Sequence, residues 1–216
     1  MSNAPDWAHI EALPLVAILR GLDPDRAEAI GDRLVEAGFR VLEVPLNRPG
    51  AIRAINRLSQ RHGGRALVGA GTVRTPEQVA EVAGAGGRII IMPHADTAVI
   101  RAAKDLGLLC LPGVATPSEA FAALDAGADA LKLFPAEAMP PPVVKAMLAV
   151  LPGGTRLFPV GGIAPETMQP YRAAGAYGFG LGSALFKPEI DDAALSRNAE
   201  AFVAAWHAKG QATVAV

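Results

Sequence analysis

The chain has 216 residues, enough for one domain with a sizeable core and too few for two full ones. Charged residues make up 19% against a usual value of about 25%, so part of the surface is expected to be covered in an oligomer. A net charge of -1 excludes a broad attraction to nucleic acid or to an anionic membrane, which leaves a small-molecule partner as the expectation. The single cysteine, Cys110, excludes an internal disulfide framework and a multi-cysteine zinc site, and fits a reducing compartment such as the cytoplasm. No apolar run approaches a membrane span, and the opening Met1-Ser2-Asn3-Ala4-Pro5-Asp6 lacks a basic segment followed by an apolar one, so a soluble, non-exported protein is expected.

Short runs of Val, Ile and Leu alternate with alanine-rich amphipathic stretches, the pattern of βα units around a parallel sheet buried on both faces. The expected strands are 15–20, 41–46, 66–72, 88–92, 108–111, 130–134, 156–160 and 177–181, with helices between them. Asp23-Pro24, Thr75-Pro76, Thr116-Pro117 and Ala164-Pro165 place proline in a helical first turn, where a missing N–H costs nothing. Thr75 with Gln78, and Thr116 with Glu119, are expected to form capping boxes. Ala37-Gly38, Leu106-Gly107, Ala126-Gly127 and Ala174-Gly175 read as helix ends closed by a left-handed glycine. No linker or composition break divides the chain, so residues 1–216 read as one (β/α)8 TIM-barrel domain with short loops and no lid. The structural alternative is a doubly wound open sheet, but neither Gly69-Ala70-Gly71 nor Gly180-Leu181-Gly182 completes a dinucleotide-binding fingerprint.

Lys132 lies inside Ala130-Leu131-Lys132-Leu133-Phe134, where strand alternation puts it on the face of Ala130 and Phe134. Desolvation there lowers a lysine's pKa and releases the neutral amine that Schiff-base chemistry needs; the competing reading is an edge lysine snorkelling from a strand end. Glu43, inside Val41-Leu42-Glu43-Val44-Pro45, is a second charge among strand residues. If it faces inward it approaches Lys132 and serves as general acid and base; otherwise it is half of a structural ion pair with an inward arginine such as Arg20.

Two glycine-rich strand ends close the list of expected strands, Val160-Gly161-Gly162-Ile163 and Gly180-Leu181-Gly182-Ser183. Barrel enzymes bind phosphate at the loops after their seventh and eighth strands, so Gly161, Gly162, Gly182 and Ser183 are the candidate phosphate site, with tight turns as the plainer account. Thr72, after Gly71, is a candidate contact for a substrate carboxylate at the end of the third strand, with a helix-preceding turn as an equally good account, and Pro93, before the rim residue His94, is a candidate substrate contact at the end of the fourth. His9, His62 and His207 look peripheral, Cys110 reads as strand packing, and the dispersed histidines give no metal-ligand spacing, so no metal is expected.

Taken together, Ile18-Leu19-Arg20-Gly21, Glu43-Val44-Pro45-Leu46-Asn47, Gly69-Ala70-Gly71-Thr72-Val73, Leu131-Lys132-Leu133-Phe134-Pro135-Ala136, Val160-Gly161-Gly162 and Gly180-Leu181-Gly182-Ser183 resemble the class I aldolases of 2-keto-3-deoxy-6-phospho sugar acids. The resemblance spans nearly the whole chain. It implies that Lys132 forms the Schiff base, Glu43 transfers protons, and Arg20 and Thr72 hold the acidic substrate. It also implies that the late glycines with Ser183 hold the phosphate, that no cofactor is used, and that the protein is a homotrimer. Asn47, Val160 and the Ile-Leu-Arg-Gly opening look like the branch that takes the galactonate-derived substrate, whereas the gluconate branch typically has arginine and threonine at positions 47 and 160. Use of the gluconate epimer or of both, a metal-free phosphosugar isomerase or epimerase, and a non-catalytic barrel that binds a phosphorylated sugar acid are the competing functions.

Overall fold

The computed structural model describes residues 4–208; the first three residues of the opening segment and residues 209–216 lie outside that range. Among the described residues nine short parallel strands appear in place of the eight expected. They are β1 (Leu15–Ile18), β2 (Val41–Pro45), β3 (Leu67–Gly71), β4 (Ile89–Ile91), β5 (Leu109–Leu111), β6 (Gly113–Val114), β7 (Leu131–Leu133), β8 (Leu157–Pro159) and β9 (Phe179–Leu181). Six of them form a curled sheet in the order β5-β4-β3-β2-β1-β9, and three form a second sheet, β6-β7-β8. In the first sheet the last strand returns to pair with the first, Val16 opposite Gly180, which is foreign to a doubly wound order.

The extra strand comes from Pro112, which has no N–H to give a ladder and splits one extended run into β5 and β6. Its carbonyl still accepts from Lys132 N–H at 2.9 Å, so β5 adjoins β4 on one side while the residues after it adjoin β7 on the other. At the opposite seam Tyr177 N–H donates to Leu157 O at 2.9 Å, and Val160 makes an isolated parallel bridge to Gly180.

Alternation along each strand separates two apolar layers. Leu15, Ala17, Leu42, Val44, Val68, Ile90, Leu131, Leu157 and Phe179 pack outward against the helices in the larger buried cluster. Val16, Ile18, Val41, Leu67, Ile89, Ile91, Leu109, Leu111, Ala130, Phe158 and Val160 pack inward in a second one. Cys110 is on the outward face, its Sγ 3.9 Å from Met92 Sδ, and burial pushes its thiol up to about 12, so the packing reading of this cysteine holds.

The helices are α1 (Ala4–Ala12), α2 (Ala27–Glu36), α3 (Ala51–His62), α4 (Pro76–Gly84), α5 (Thr97–Asp105), α6 (Pro117–Asp125), α7 (Pro141–Val150), α8 (Met168–Ala173) and α9 (Asp192–His207). Gly38, Gly107, Gly127 and Gly175 all have positive φ after helix ends, as expected. The capping box of Thr116 and Glu119 is complete. That of Thr75 is not: Thr75 Oγ1 accepts from Gln78 N–H, but Gln78 Oε1 accepts from Arg74 N–H, the donor one residue earlier that faces the first turn. His62 is also less peripheral than expected. It is 1% exposed, with Nε2 3.6 Å from Asp32 Oδ1, and Gly31 of α2 leaves it room, since a Cβ there would come within 2.6 Å of that nitrogen. It packs with the outer helices, away from the strand ends.

A buried lysine and carboxylate at the strand ends

Lys132 is the middle residue of β7, so its backbone is held on both sides, opposite Gly113 of β6 and Phe158 of β8. Its side chain is 7% exposed and stands over an apolar floor that includes Val16, Ile18, Ile91, Leu111 and Phe158. This is no edge lysine. Burial pulls its pKa below the ordinary lysine range, Arg20 acts in the same direction, and the Glu43 charge acts against both. The ammonium form gains some support from the Phe134 ring, whose centroid lies 4.7 Å from Nζ.

Glu43 is the middle residue of β2 and shares the inward face of Val41. It is 1% exposed, and Gly71 makes its position possible: a Cβ at Gly71 would overlap the Glu43 carboxylate. A glycine at the end of β3 therefore provides the volume in which the carboxylate sits. Burial pushes the Glu43 pKa up to about 7, against the opposing pull of Lys132 and Arg20. Oε2 is buried without a hydrogen-bond partner among the described residues. The expected structural alternative, an ion pair with Arg20, does not form: Arg20 is exposed and makes no ion pair among the described residues. Lys132 and Glu43 are thus coupled through the field across the interior, each holding the other nearer its charged form than burial alone would leave it.

A cleft of about 430 Å³ is lined by Arg20, Phe134, Val160, Gly161, Gly162 and Ser183 among others, and shares Ile18 and Val160 with the floor beneath Lys132. Gly161 and Gly162 have φ of +114° and +63°, left-handed conformations that favour glycine and turn the chain sharply at the end of β8. Gly182 and Ser183 face the same cleft from the end of β9. The two glycine-rich ends read from the sequence are therefore brought together, with Arg20 beside them.

Thr72 is the one non-glycine among the described residues with positive φ, +57°. A β-branched residue in that region is strained by about 1–3 kcal/mol, and such strain collects at functional sites. Pro93 is half-buried after β4, with its carbonyl carbon and oxygen 2.6 Å from where a Cβ on Gly113 would lie; His94 is exposed at the rim. Thr72, Pro93, Lys132 and Glu43 are not among the residues that line this cleft.

Two charged cleft residues escaped the sequence reading, Glu137 and Lys187. Lys187 carries a weak signal, as one of only five lysines and four residues beyond Ser183. Glu137 carries one in following the lysine-bearing strand by a short turn.

The family model for KDPG and KHG aldolase matches residues 8–198. A probable 2-dehydro-3-deoxy-6-phosphogalactonate aldolase of Rhizobium meliloti (strain 1021) is 44% identical over 195 residues, 90% of this chain and 92% of the relative. The 2-dehydro-3-deoxy-6-phosphogalactonate aldolase of Escherichia coli (strain K12) is 44% identical over 194 residues, 90% of this chain and 95% of the relative. Among solved structures, a native KDPGal structure superposes with a TM-score of 0.89 at 44% identity, covering 90% of this chain and 94% of its own.

Proposed function

The chain belongs to the KDPG and KHG aldolase family, and on that premise we propose how its own residues carry the chemistry. It is a class I aldolase, a carbon–carbon lyase, and its reaction is the reversible cleavage of 2-dehydro-3-deoxy-6-phosphogalactonate to pyruvate and glyceraldehyde 3-phosphate.

In our reading the neutral Lys132 amine attacks the 2-keto carbon, and loss of water from the adduct leaves an iminium. Glu43 Oε2 accepts the proton of the C4 hydroxyl. The C3–C4 bond breaks, its electrons pass into the iminium to give an enamine, and glyceraldehyde 3-phosphate departs. Glu43 returns the proton to C3, and water hydrolyses the resulting iminium to pyruvate and free Lys132. A carboxyl group whose pKa is near 7 suits both halves of this cycle, as base and then as acid. The observation that carries the reading is the pairing of a desolvated mid-strand lysine with a buried carboxylate whose Oε2 is unpartnered.

Arg20 and Thr72 are the proposed partners of the substrate carboxylate and Pro93 a wall of its pocket, while Gly161, Gly162, Gly182 and Ser183 receive the phosphate away from the breaking bond. Val160 lines the cleft where the gluconate branch typically has threonine, which supports preference for the galacto epimer. We read the two sheets as one (β/α)8 barrel, a reading supported by the Pro112 break and the Val160–Gly180 bridge at its seams. We further propose a cytoplasmic homotrimer. Three large apolar side chains exposed in or just after α5, α6 and α7, namely Leu106, Phe121 and Val150, support burial of that side between copies.

Pyruvate release from the phosphogalactonate substrate tests the assignment. Wild-type protein releases pyruvate, and Lys132→Met lowers the rate by about 10⁴-fold or more. A Lys132→Met rate within about tenfold of wild type removes Lys132 from the chemistry. Isomerisation without pyruvate release rejects the aldolase mechanism.

A further inference from the structure

Glu137 lies on the short 3₁₀ turn Ala136–Ala138 that follows the lysine-bearing strand. The backbone of this turn is pinned from two directions. Ala136 N–H donates to Val160 O at 2.9 Å, and the Tyr171 hydroxyl reaches Ala136 O at 2.9 Å and Met139 O at 3.2 Å. The Glu137 side chain is exposed and faces the cleft, and its carboxylate is seated on the two glycines that end β8. A Cβ at Gly161 would overlap Oε2 and come within 2.8 Å of Cδ, and one at Gly162 would come within 2.8 Å of Cγ. Burial, with a smaller contribution from the same carboxylate, raises the Tyr171 hydroxyl above its ordinary range. Besides Glu137, only Arg20 and Lys187 among the residues lining this cleft carry a formal charge, and both are cationic.

We propose that Glu137 is a specificity-determining residue at the phosphate end of the site, a resident anion on the glycine turn that an incoming phosphate must displace or approach against repulsion. The inference rests on the reading of Gly161 and Gly162 as phosphate-binding. A carboxylate and a phosphate cannot share that volume, and a phosphate is mostly a dianion at neutral pH. Because the turn is pinned, the exchange needs only rotation about the Glu137 side-chain bonds, a fast motion for an exposed residue. Its consequence is a phosphate site held below its full affinity, which favours release of glyceraldehyde 3-phosphate after cleavage. Lys187, one of the two cations in the same cleft, acts in the opposite sense.

The test is the condensation reaction of pyruvate with glyceraldehyde 3-phosphate or with unphosphorylated glyceraldehyde, at about 0.05 M and about 0.5 M salt. Glu137→Gln, which keeps the shape and removes the charge, lowers the KM for the phosphorylated aldehyde about threefold to tenfold at low salt and less at high salt. It leaves the KM for glyceraldehyde and for pyruvate unchanged. Glu137→Ala behaves alike, and Lys187→Met raises the KM for the phosphorylated aldehyde. A role confined to supporting the turn moves KM upward or not at all, without salt dependence. An unchanged or raised KM in both Glu137 variants, with wild type still preferring the phosphorylated aldehyde, overturns this inference and spares the phosphate site. A wild type that handles both aldehydes alike overturns the phosphate site and the inference with it.

Discussion

The two ends of the strands are built on opposite rules. At the N-terminal end α1 closes the interior: Ile10 is fully buried, Trp7 packs against Tyr177 with ring centres 6.1 Å apart and planes tilted by 41°, and the Arg156 guanidinium lies 4.3 Å from the Trp7 ring centre. Charges there are matched, as with Asp6 and Arg88 at 2.7 Å. At the C-terminal end Glu43 Oε2 is buried without a partner, Lys132 is desolvated, and Thr72 holds a strained backbone. Trp7 Nε1 is also buried without a hydrogen-bond partner among the described residues, so the ends differ in kind: the unpartnered group is a neutral indole N–H at the packed end and a carboxylate oxygen where chemistry is to happen.

That contrast predicts that substitutions divide by end, activity being lost at one and stability at the other. With Lys132 intact, the largest effect is expected for Glu43→Gln, which lowers turnover by about 10²–10⁴-fold. The same variant tests the cost of the buried carboxylate. Because the folded pKa of about 7 lies above the ordinary glutamate value of 4.5, the folded state binds the proton more tightly, and Glu43 favours folding below about 4.5 and loses that contribution as pH rises through about 7. Glu43→Gln is therefore more stable than wild type at pH 8, by on the order of 2 kcal/mol, with the gap closing towards pH 5. Thermal melts across that range check the sign; a variant less stable than wild type at pH 8 contradicts it.

At the other end Trp7→Ala removes the packing against Tyr177 and Arg156, and is expected to cost about 2–4 kcal/mol while leaving kcat within about twofold. Urea melts beside steady-state assays measure both, and a loss of kcat without a loss of stability would erase the division between the ends. The smallest effect belongs to Val160→Thr, which adds one hydroxyl at the cleft wall and shifts the galacto-to-gluco ratio of kcat/KM by about tenfold or less towards gluco. An unchanged ratio removes Val160 from substrate selection.

Much of this division is legible in the sequence, since the period of two places Ala130, Lys132 and Phe134 on one face and Val41 with Glu43 on another. Proline and glycine punctuation marks the helices because first-turn and left-handed positions are local requirements, met within a few residues. What escaped is set by tertiary contact. The Pro112 break depends on which neighbour faces the position where proline has no N–H to donate, the burial of His62 on a glycine in another helix, and the seat of Glu137 on a turn that follows a different strand. Gly71 is intermediate: its place at a strand end is visible, but its role in making room for Glu43 appears only once β2 and β3 are paired.

The central claim is that Lys132 supplies the amine that becomes covalently joined to substrate, and borohydride reduction in the presence of pyruvate tests it most directly. Peptide mass spectrometry is expected to find the reduced pyruvate adduct on the peptide containing Lys132, and none in Lys132→Met protein. A stable adduct on another lysine, or none on folded and active wild-type protein, contradicts the account.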